Sequence, residues 1–289
     1  MAKILVFGEI LWDVFDTERF LAGAPLNFAV HSIKLGTKTA IISSVGNDCL
    51  GSDTKRKLQE YDISSRFLQT SDAYATGVTV VTLNNGEPIY DLKENTAYDN
   101  IEYSEELQKK IDNYSADCLY FGTVGQRSTV SASTLKNILE NSIFTNVFCD
   151  LNLREGNFSE KTVYFSLKNC NILKLNRNEV EVIKKMYFDK NNIVSENDFA
   201  DKLCNKFDNL KLIIITLDSK GSFIYDKSSN EQIYQAAEKC NVISPTGAGD
   251  AFCAGFITAF LNNRPLKECA VNATKLATYV LQYKEAIPE

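Results

Sequence analysis

Short apolar runs recur along the chain, and segments with helical spacing of apolar residues lie between them. The runs are continuous, which is typical of strands buried on both faces of a parallel sheet. Alternation of such strands with helices predicts an α/β fold with a central, mostly parallel sheet flanked by helices. The predicted strands are Ile4–Phe7, Thr39–Val45, Asp117–Phe121, Asn146–Cys149, Ile172–Leu175 and Leu212–Leu217, and the predicted helices cover 25–35, 49–61, 104–113, 131–143, 160–168 and 196–207.

Residues 12–22 and 73–99 break this rhythm, because both have extended patterns without an intervening helix. Within the second stretch, Asn84-Asn85-Gly86 separates two strand-like runs, and Asn and Gly tolerate the positive φ of hairpin turns. A small β-sheet inserted into an α/β core suggests a lid over a site at the carboxyl ends of the core strands. An ordinary edge hairpin is the alternative that the pattern leaves open. We see no internal repeat or long linker and expect residues 1–289 to form a single domain.

The charge balance narrows the choice of ligands. The chain carries 31 Lys and Arg against 37 Asp and Glu, a net charge of −6. Nucleic-acid binding needs a basic surface, so we expect no nucleic-acid partner. An anionic ligand must then be bound by a local device, such as aligned backbone amides. No apolar run approaches the roughly 18 residues of a membrane span, and the N-terminus predicts a buried strand, so we expect no membrane partner and a cytoplasmic protein.

Histidine and cysteine usage argues against most metal and hydrolase chemistry. The eight cysteines contain no C-x-x-C pair, and we expect them to be reduced and mostly buried. The single histidine, His31, cannot form a multi-histidine metal site. It lies inside a predicted helix, and we expect it to be a packed or surface side chain and not a catalyst.

The segment 244–257 is the most informative in the chain. Gly247-Ala248-Gly249 precedes a helical pattern, so a loop of small residues lies at a helix N-terminus. The first amides of a helix have no partners within it, and small side chains let an anion approach them closely. The sequence predicts a phosphate site built without a lysine. The helix after Gly249 should bury one apolar face, formed by Phe252, Phe256, Ile257 and Phe260.

Asp250 follows this loop in the first helical turn. It is either a carboxylate stabilised by the helix dipole or a general base beside the phosphate site, and residue patterns alone leave both open. The dipole should lower its pKa. A weak base still suffices for phosphoryl transfer, because positioning matters more than basicity in a loose transition state. The P-loop and dinucleotide-binding motifs are missing.

Two signatures resemble those of the ribokinase-like carbohydrate kinases, also called the phosphofructokinase-B family. One covers residues 246–256, and the other begins at Ala22-Gly23-Ala24-Pro25-x-Asn27 and ends at Leu35-Gly36. Shorter similarities fill the interval, so the ordered match spans about residues 4–288: Gly8-Glu9-Ile10-Leu11-x-Asp13, Val45-Gly46-x-Asp48-x-x-Gly51, Asp150-x-Asn152-x-Arg154, Asn176-x-x-Glu179 and Lys220-Gly221.

The resemblance implies a ribokinase-like core with a β lid, a sugar bound between them, and ATP near the C-terminal helices. It implies that Asp250 is the catalytic base and that Gly247, Ala248 and Gly249 form the anion hole. Sugar hydroxyls would bind the carboxylate and amide groups of Asp13 and Asn27, together with Gly23. Without the resemblance, Asp13 would be a turn residue and Asn27 a first-turn helix residue.

The same resemblance implies the nucleotide site. Asn176 and Glu179 form an N-x-x-E element that organises Mg²⁺ and phosphate, largely through water, with Glu179 as the metal-side carboxylate. As an isolated pattern, this pair would be a helix cap. Thr216, Lys220 and Gly221 correspond to nucleotide contacts. Asn272 corresponds to the adenine region.

The best match within the family is the fructokinase-like branch, which implies substrate contacts from Asn152 and Arg154. Arg154 either binds a phosphate or substrate oxygen or forms a loop ion pair. Three residues depart from the family pattern. Ser244 replaces the usual Asp and puts potassium binding in doubt, Asp218 replaces a frequent Gly, and Pro245 stiffens the loop before the anion hole.

We therefore expect an enzyme that transfers the γ-phosphoryl group of ATP to a sugar hydroxyl, with fructose as the first candidate acceptor. Ribose, a nucleoside and 2-keto-3-deoxygluconate are the alternatives within the family. A sugar-binding regulatory protein without catalysis is the alternative from another class. Family members often pair through their lids, so a homodimer is a further expectation.

Overall fold

The computed structural model of the chain describes residues 1–14, 18–84, 87–188 and 193–288, with the backbone alone for 81–84 and 87–90. The predicted Asn84-Asn85-Gly86 turn includes residues outside this set. In chain order the strands are β1 (Lys3–Phe7), β2 (Leu11–Val14), β3 (Arg19–Ala22), β4 (Lys38–Gly46), β5 (Leu68–Ser71), β6 (Gly77–Asn84), β7 (Glu87–Leu92), β8 (Cys118–Phe121), β9 (Asn146–Asp150), β10 (Ile172–Asn176), β11 (Leu212–Thr216), β12 (Ser222–Asp226) and β13 (Glu231–Gln235).

Helices flank the larger sheet on both faces. They are α1 (Ala24–Lys34), α2 (Cys49–Glu60), α3 (Glu105–Tyr114), α4 (Thr129–Asn141), α5 (Glu160–Asn169), α6 (Arg177–Tyr187), α7 (Glu196–Lys206), α8 (Ala248–Leu261) and α9 (Leu266–Val280). One core contains side chains of α3 to α7, such as Leu135 and Phe199. The other contains side chains of α1, α2, α8 and α9, such as Phe28 and Phe256. The apolar runs of the strands contribute to both cores, as buried parallel strands should.

The larger sheet has the order β13-β12-β11-β10-β9-β8-β1-β4-β5 in the described residues. Its strands from β11 to β5 are parallel, and β12 and β13 extend it as antiparallel strands. The chain moves outward from β1 in one direction through β4 and β5, and in the other through β8 to β11. In such sheets ligands bind where the direction reverses, at the carboxyl ends of the strands. That point lies between β1 and β8.

The smaller sheet has the order β3-β2-β6-β7 and contains the two segments that break the strand–helix rhythm. Its outer pairs are antiparallel and its central pair, β2 with β6, is parallel. The indole Nε1 of Trp12 donates to Thr54 Oγ1 at 2.9 Å and joins this sheet to α2. The second predicted segment was too long, because residues 97–100 form a 3-10 turn whose Thr96 and Asp99 make a capping box.

Polar residues before the helices fix where several of them begin. Ser104, Ser128, Ser159 and Ser195 each accept a hydrogen bond from an amide of the first turn, which satisfies a donor that has no partner within the helix. The helix α8 differs from the prediction. It begins at Ala248, and residues 251–259 are buried all round and not on one face, because α1 and α9 pack on it from both sides.

Cysteine and histidine follow the sequence predictions. All eight cysteines are free, and six of them are buried. His31 is buried in α1, where its Nε2 lies 2.8 Å from the carbonyl oxygen of Ala286, and burial lowers its pKa. None of the described helices is long and apolar enough to cross a membrane.

Candidate active site

A cavity of about 1480 Å³ lies where the larger sheet, the smaller sheet and the start of α8 meet. We call it the central cavity. Its walls include the residues that follow β1, β9, β10 and β11, and side chains of the smaller sheet cover one side. Most of the predicted site residues line it: Asp13, Gly23, Asn27, Asn152, Arg154, Asn176, Thr216, Gly221, Gly247, Ala248, Gly249 and Asp250.

The loop before α8 turns sharply into the helix. Gly247 has φ +79, and a Cβ there would lie 2.5 Å from the Cβ of Ala286. A residue with a side chain would therefore be both strained and obstructed. Among the described residues, no acceptor pairs with the amides of Gly249 and Asp250. These two donors are the kind of group that binds an anion at a helix N-terminus.

The side chain of Asp250 lies beside these amides and is held by a hydrogen bond from α1. Its Oδ2 accepts a hydrogen bond of 2.8 Å from Nδ2 of Asn27 in α1. Burial and the nearby Asp150 raise the pKa of Asp250 to about 7, although Asn27, Lys174 and Arg154 lower it. The expectation that the helix dipole would lower this pKa was wrong, because desolvation outweighs it.

A buried ion pair lies under the anion loop. Nζ of Lys174 in β10 is 3.0 Å from Oδ1 of Asp150 in β9, and both side chains are almost fully buried. The same Nζ is 3.4 Å from the position that a Cβ of Gly249 would take. Burial lowers the pKa of Lys174, but Asp150 and other neighbouring groups together raise it above its ordinary value, so the side chain is charged. The phosphate site built from backbone amides stays a prediction, and Lys174 is a nearby positive charge that sequence reasoning missed.

Glu9 is a second residue that sequence reasoning missed. It follows β1 at the reversal point of the sheet, lines the central cavity and is 5% exposed. Burial and the charge of Asp250 raise the pKa of its carboxyl to about 8, against the effect of its own backbone amide and of two arginines. The sequence feature that could have identified Glu9 is a carboxylate two positions after a buried strand, at the end of the sheet where ligands bind.

Residues on the sugar side have the positions that the resemblance implied. Asp13 projects from β2, and burial raises its pKa to about 6 while Thr79 and Arg154 lower it. Gly23 has φ +122, and a Cβ there would lie 2.5 Å from the carbonyl oxygen of Glu9. Asn152 has φ +42, a left-handed conformation that Asn tolerates better than most residues.

Asn176, Thr216 and Gly221, which were predicted to contact the nucleotide, line the central cavity. Gly221 has φ +103, and a Cβ there would lie 1.9 Å from the Gln235 carbonyl oxygen, so the site requires glycine. Lys220 belongs to the same turn but is exposed and does not line the cavity. Its role stays a prediction.

Asn272 is not brought to the central cavity. It lines a separate groove on the other side of α9, together with Arg264 and Leu35. Thr274 and Thr278 line the central cavity instead. Residues 272 and 274 differ by two positions, or about 200° around a helix, and therefore face opposite sides.

The comparisons with known proteins agree with this geometry. The family model for pfkB family carbohydrate kinases matches residues 2–289. The chain belongs to the pfkB family of carbohydrate kinases. The ATP-dependent 6-phosphofructokinase of Thermoanaerobacterium thermosaccharolyticum is 28% identical, over 98% of this chain and 89% of that protein. The ribokinase of Dictyostelium discoideum is 25% identical, over 96% and 93%.

Solved structures of the pfkB fold are also similar. A sugar kinase of Pyrococcus horikoshii in complex with ATP has a TM-score of 0.80 at 26% identity, over 98% of this chain and 93% of that one. A fructokinase of Vibrio cholerae has a TM-score of 0.81 at 20% identity, over 99% and 94%, which shows the shared fold. The predicted family and the predicted ATP-dependent sugar kinase activity are thereby confirmed.

The two residues predicted to organise a metal in this pfkB kinase, Asn176 and Glu179, have a structural role of their own. Glu179 is 3% exposed, and its Oε1 and Oε2 accept hydrogen bonds from the amides of Leu153 and Asn176 at 2.8 and 2.7 Å. Asn176 Oδ1 in turn accepts from the Glu179 amide, so the two form the capping box of α6. No group of three acidic, Cys or His residues within the described ranges could hold a metal. These residues fit Mg²⁺ bound through water and phosphate, and that assignment stays a prediction.

The departures from the pfkB pattern are visible in the backbone. Asp218 has φ +53, so it keeps the left-handed conformation that favours the glycine usual in the family. Ser244 Oγ accepts a hydrogen bond from the Thr246 amide at 3.2 Å and carries no charge for a cation. Potassium binding stays doubtful for this reason.

Proposed function

We propose that this pfkB kinase is a fructokinase, which transfers the γ-phosphoryl group of ATP to a primary hydroxyl of fructose and forms fructose 6-phosphate. The observation that carries the proposal is the Asp250 carboxylate. It is fixed by Asn27 beside two unpaired amides, in a cavity that also contains acceptor groups for hydroxyls.

The proposed reaction uses these groups in a fixed order. Asp13, Gly23 and Asn27 bind sugar hydroxyls, and Asp250 accepts the proton of the reacting hydroxyl. The sugar oxygen forms a bond to the γ-phosphorus as the bond to the bridging β–γ oxygen breaks, and ADP leaves. The anion loop Gly247 to Gly249, through the unpaired amides of Gly249 and Asp250, would stabilise the charge that develops on the transferred group. The Lys174 ammonium adds a positive charge beneath the same loop.

On the nucleotide side, Asn176, Thr216 and Gly221 would contact ATP. Bound Mg²⁺ neutralises phosphate charge in such reactions, and Glu179 would hold it through water. Lys220 would reach the nucleotide from its exposed position. We propose that Thr274 takes the place first assigned to Asn272 near the adenine, because its hydroxyl lines the cavity and has no partner among the described residues.

Two further proposals concern the setting of the reaction. The enzyme acts in the cytoplasm, which its eight free cysteines and its membership of an ATP-dependent kinase family favour. Two copies pair through the smaller sheet, which the edge strands β3 and β7 would permit.

A phosphorylated ketohexose is the second candidate acceptor. The relative that is 28% identical is named a 6-phosphofructokinase. In the described residues, Arg154 lines the cavity without an ion pair, whereas Lys57, Arg19 and Lys284 are each paired. A free guanidinium suits a phosphate or a sugar oxygen equally well.

An ADP-release assay coupled to an acceptor panel tests the proposal. The panel contains fructose, fructose 6-phosphate, ribose, a nucleoside and 2-keto-3-deoxygluconate, each with Mg²⁺ and ATP. We expect the highest kcat/KM with fructose. A higher value with fructose 6-phosphate, which Arg154→Ala lowers selectively, would establish the second candidate. No turnover with any acceptor would contradict both. Asp250→Asn is the control for contaminating kinases.

A further inference from the structure

The backbone around Glu9 is fixed by close contacts. Gly8 before it has φ +151, and a Cβ there would lie 2.6 Å from the ring of Pro25. A Cβ at Gly125 would lie 2.8 Å from the Cα of Gly8. The Glu9 carbonyl oxygen in turn lies against Gly23. Glycine at these positions lets three segments converge on the backbone of Glu9, so the backbone from which its side chain projects is fixed at the cavity wall.

The carboxyl of Glu9 is buried, and burial opposes its ionisation more strongly than a hydrogen bond from its own backbone amide favours it. Its Oε2 has no hydrogen-bond partner among the described residues. The like charge of Asp250 opposes its ionisation, while Arg154 and Arg127 favour it less strongly than burial opposes it. A buried carboxyl in such surroundings is more stable with its proton bound. The charged or titratable groups that face it from the surrounding elements are Asp250 of α8, Arg154 after β9, Arg127 before α4, Tyr98 of the 3-10 turn and Tyr120 of β8.

A protonated Glu9 would add a hydrogen-bond donor to the sugar side, in addition to the guanidinium of Arg154. An ionised Asp accepts hydrogen bonds and donates none, so Asp13 and Asp250 can each only accept once ionised. Nδ2 of Asn27 already donates to Asp250. Oε2 of Glu9 has no hydrogen-bond partner among the described protein groups, and Glu9 lines a cavity that accommodates a sugar. A sugar oxygen is the acceptor that the site provides on binding.

We propose that Glu9, in its protonated form, is a sugar-binding residue that donates a hydrogen bond to an oxygen of the acceptor, while the ionised Asp250 beside it takes the proton of the reacting hydroxyl. This assigns opposite protonation states to two buried carboxyls in one cavity. Their mutual repulsion favours such a division, because ionisation of one raises the pKa of the other. The inference rests on the sugar kinase activity of the family and holds for whichever acceptor the enzyme uses.

The proposal fixes the direction of a pH effect. The donor is present below the pKa of Glu9, which is about 8, and is lost as the pH rises through that value. Loss of a donor weakens binding of the sugar before it affects the chemical step. The KM for the sugar should therefore rise above this pH, with a much smaller change in kcat.

The test compares Glu9→Gln and Glu9→Ala with the wild type, using the best acceptor of the panel at saturating ATP. The amide of Gln donates at every pH, so the alkaline rise in KM should disappear in Glu9→Gln. Glu9→Ala should raise KM roughly tenfold or more at pH 7, the size expected for loss of one good hydrogen bond. Glu105→Gln, at an exposed position at the start of α3, is the matched control and should leave the profile unchanged.

Two outcomes would overturn the proposal. One is an alkaline rise in KM that persists in Glu9→Gln at the same pH. The other is a folded Glu9→Ala variant with wild-type KM. If Glu9→Ala does not fold, the Gln variant alone decides, because it keeps the size and the donor. Failure of the enzyme to use fructose leaves this test intact, since it is run on the acceptor that does support turnover.

Discussion

Nδ2 of Asn27 lies 2.8 Å from Oδ2 of Asp250, across 223 positions of the sequence. This contact joins α1 to the start of α8 and sets the orientation of the proposed base. It also adjusts the pKa of Asp250, because a hydrogen bond to the ionised carboxylate opposes the effect of burial. One amide thereby helps to keep a buried carboxyl in the ionised form that a base needs.

Asn27→Ala should move the acidic limb of the rate profile to higher pH. Without the amide donor the pKa of Asp250 rises above its value of about 7, and we expect a shift of about one pH unit, the size of a hydrogen bond to a charged group. The loss of kcat should then be larger at pH 6 than at pH 8. The measurement is kcat and kcat/KM between pH 5 and 9.

Asn262→Ala is a matched control for this prediction. Asn262 is an amide at the far end of α8, where its Nδ2 donates to the Thr258 carbonyl at 2.8 Å, outside the central cavity. This control should leave the acidic limb in place. An unchanged limb in Asn27→Ala as well would show that the contact with Asp250 does not set the protonation of the base.

Asp250→Asn should lose several orders of magnitude in turnover and gain stability. The pKa of Asp250 in the folded protein, about 7, is above its ordinary value. The folded state therefore holds the proton more tightly, and stability falls as the pH rises from the ordinary Asp value through 7. Asn abolishes this penalty. We expect a Tm higher by about 3 °C or more at pH 8, and a smaller difference at pH 5.

Thermal unfolding of both proteins at the two pH values is the measurement. Sugar binding by calorimetry should persist in the variant, which separates loss of the base from loss of the fold. Equal stability of the two proteins at pH 8 would mean that the carboxylate is well solvated and that its ionisation is not opposed by burial.

The strands of the core could be predicted from the sequence, because continuous apolar runs are typical of parallel strands that are buried on both faces. All six predicted strands exist, with ends that differ by at most one residue. Sequence reasoning missed β5, β12 and β13. The strands β5 and β13 lie at the edges of the larger sheet and are only partly buried, so their apolar signal is weak. The strand β12 is buried next to β13, and its apolar run is short. The predicted helical segments also did not include the helices α6 and α9.

Residues of the candidate site that belong to a sequence motif could be predicted. Residues that only the strand order brings to the site were missed. Lys174 stands alone in the apolar run of β10, and no pattern says that its neighbour on the next strand is Asp150. Glu9 needed knowledge of where the sheet reverses. The error at Asn272 was one of register, since a shift of two residues reverses the face of a helix. In each case the missing information was a contact distant in sequence.

The buried pair of Asp150 and Lys174 should be costly to break. Lys174→Met leaves a carboxylate buried without its partner and should lower the free energy of unfolding by about 3–5 kcal/mol. The double variant Asp150→Asn, Lys174→Met should recover part of this loss, because the uncompensated charge is gone. Urea unfolding at pH 7 measures all three proteins.

Lys136→Met is the control for the buried pair. Lys136 and Glu140 form an exposed pair at 3.7 Å on α4, and exposed pairs contribute about 1 kcal/mol or less. If Lys174→Met were no more destabilising than this control, water would reach the pair and the positive charge beneath the anion loop would be screened.

Asp218→Gly should stabilise the protein, because Asp218 is held in a left-handed conformation at φ +53. Glycine adopts this conformation without the Cβ penalty, although it also gains freedom in the unfolded chain. We expect a net gain of about 0.5–1 kcal/mol in the free energy of unfolding. Asp208→Gly is the matched control, since Asp208 is an exposed turn residue outside the set with positive φ, and it should gain nothing.

The same variant tests the nucleotide side of the cavity. Asp218 lines the cavity near Thr216 and Gly221, and its carboxylate places a negative charge where ATP phosphates would bind. Removal of that charge should lower the KM for ATP by roughly twofold to fivefold, as expected for a like charge screened by solvent. The effect should shrink at high ionic strength, because salt screens an exposed charge. An ATP KM that rises in Asp218→Gly would mean that the carboxylate assists nucleotide binding, for example by holding water around the metal ion, and would reverse the sign of this assignment.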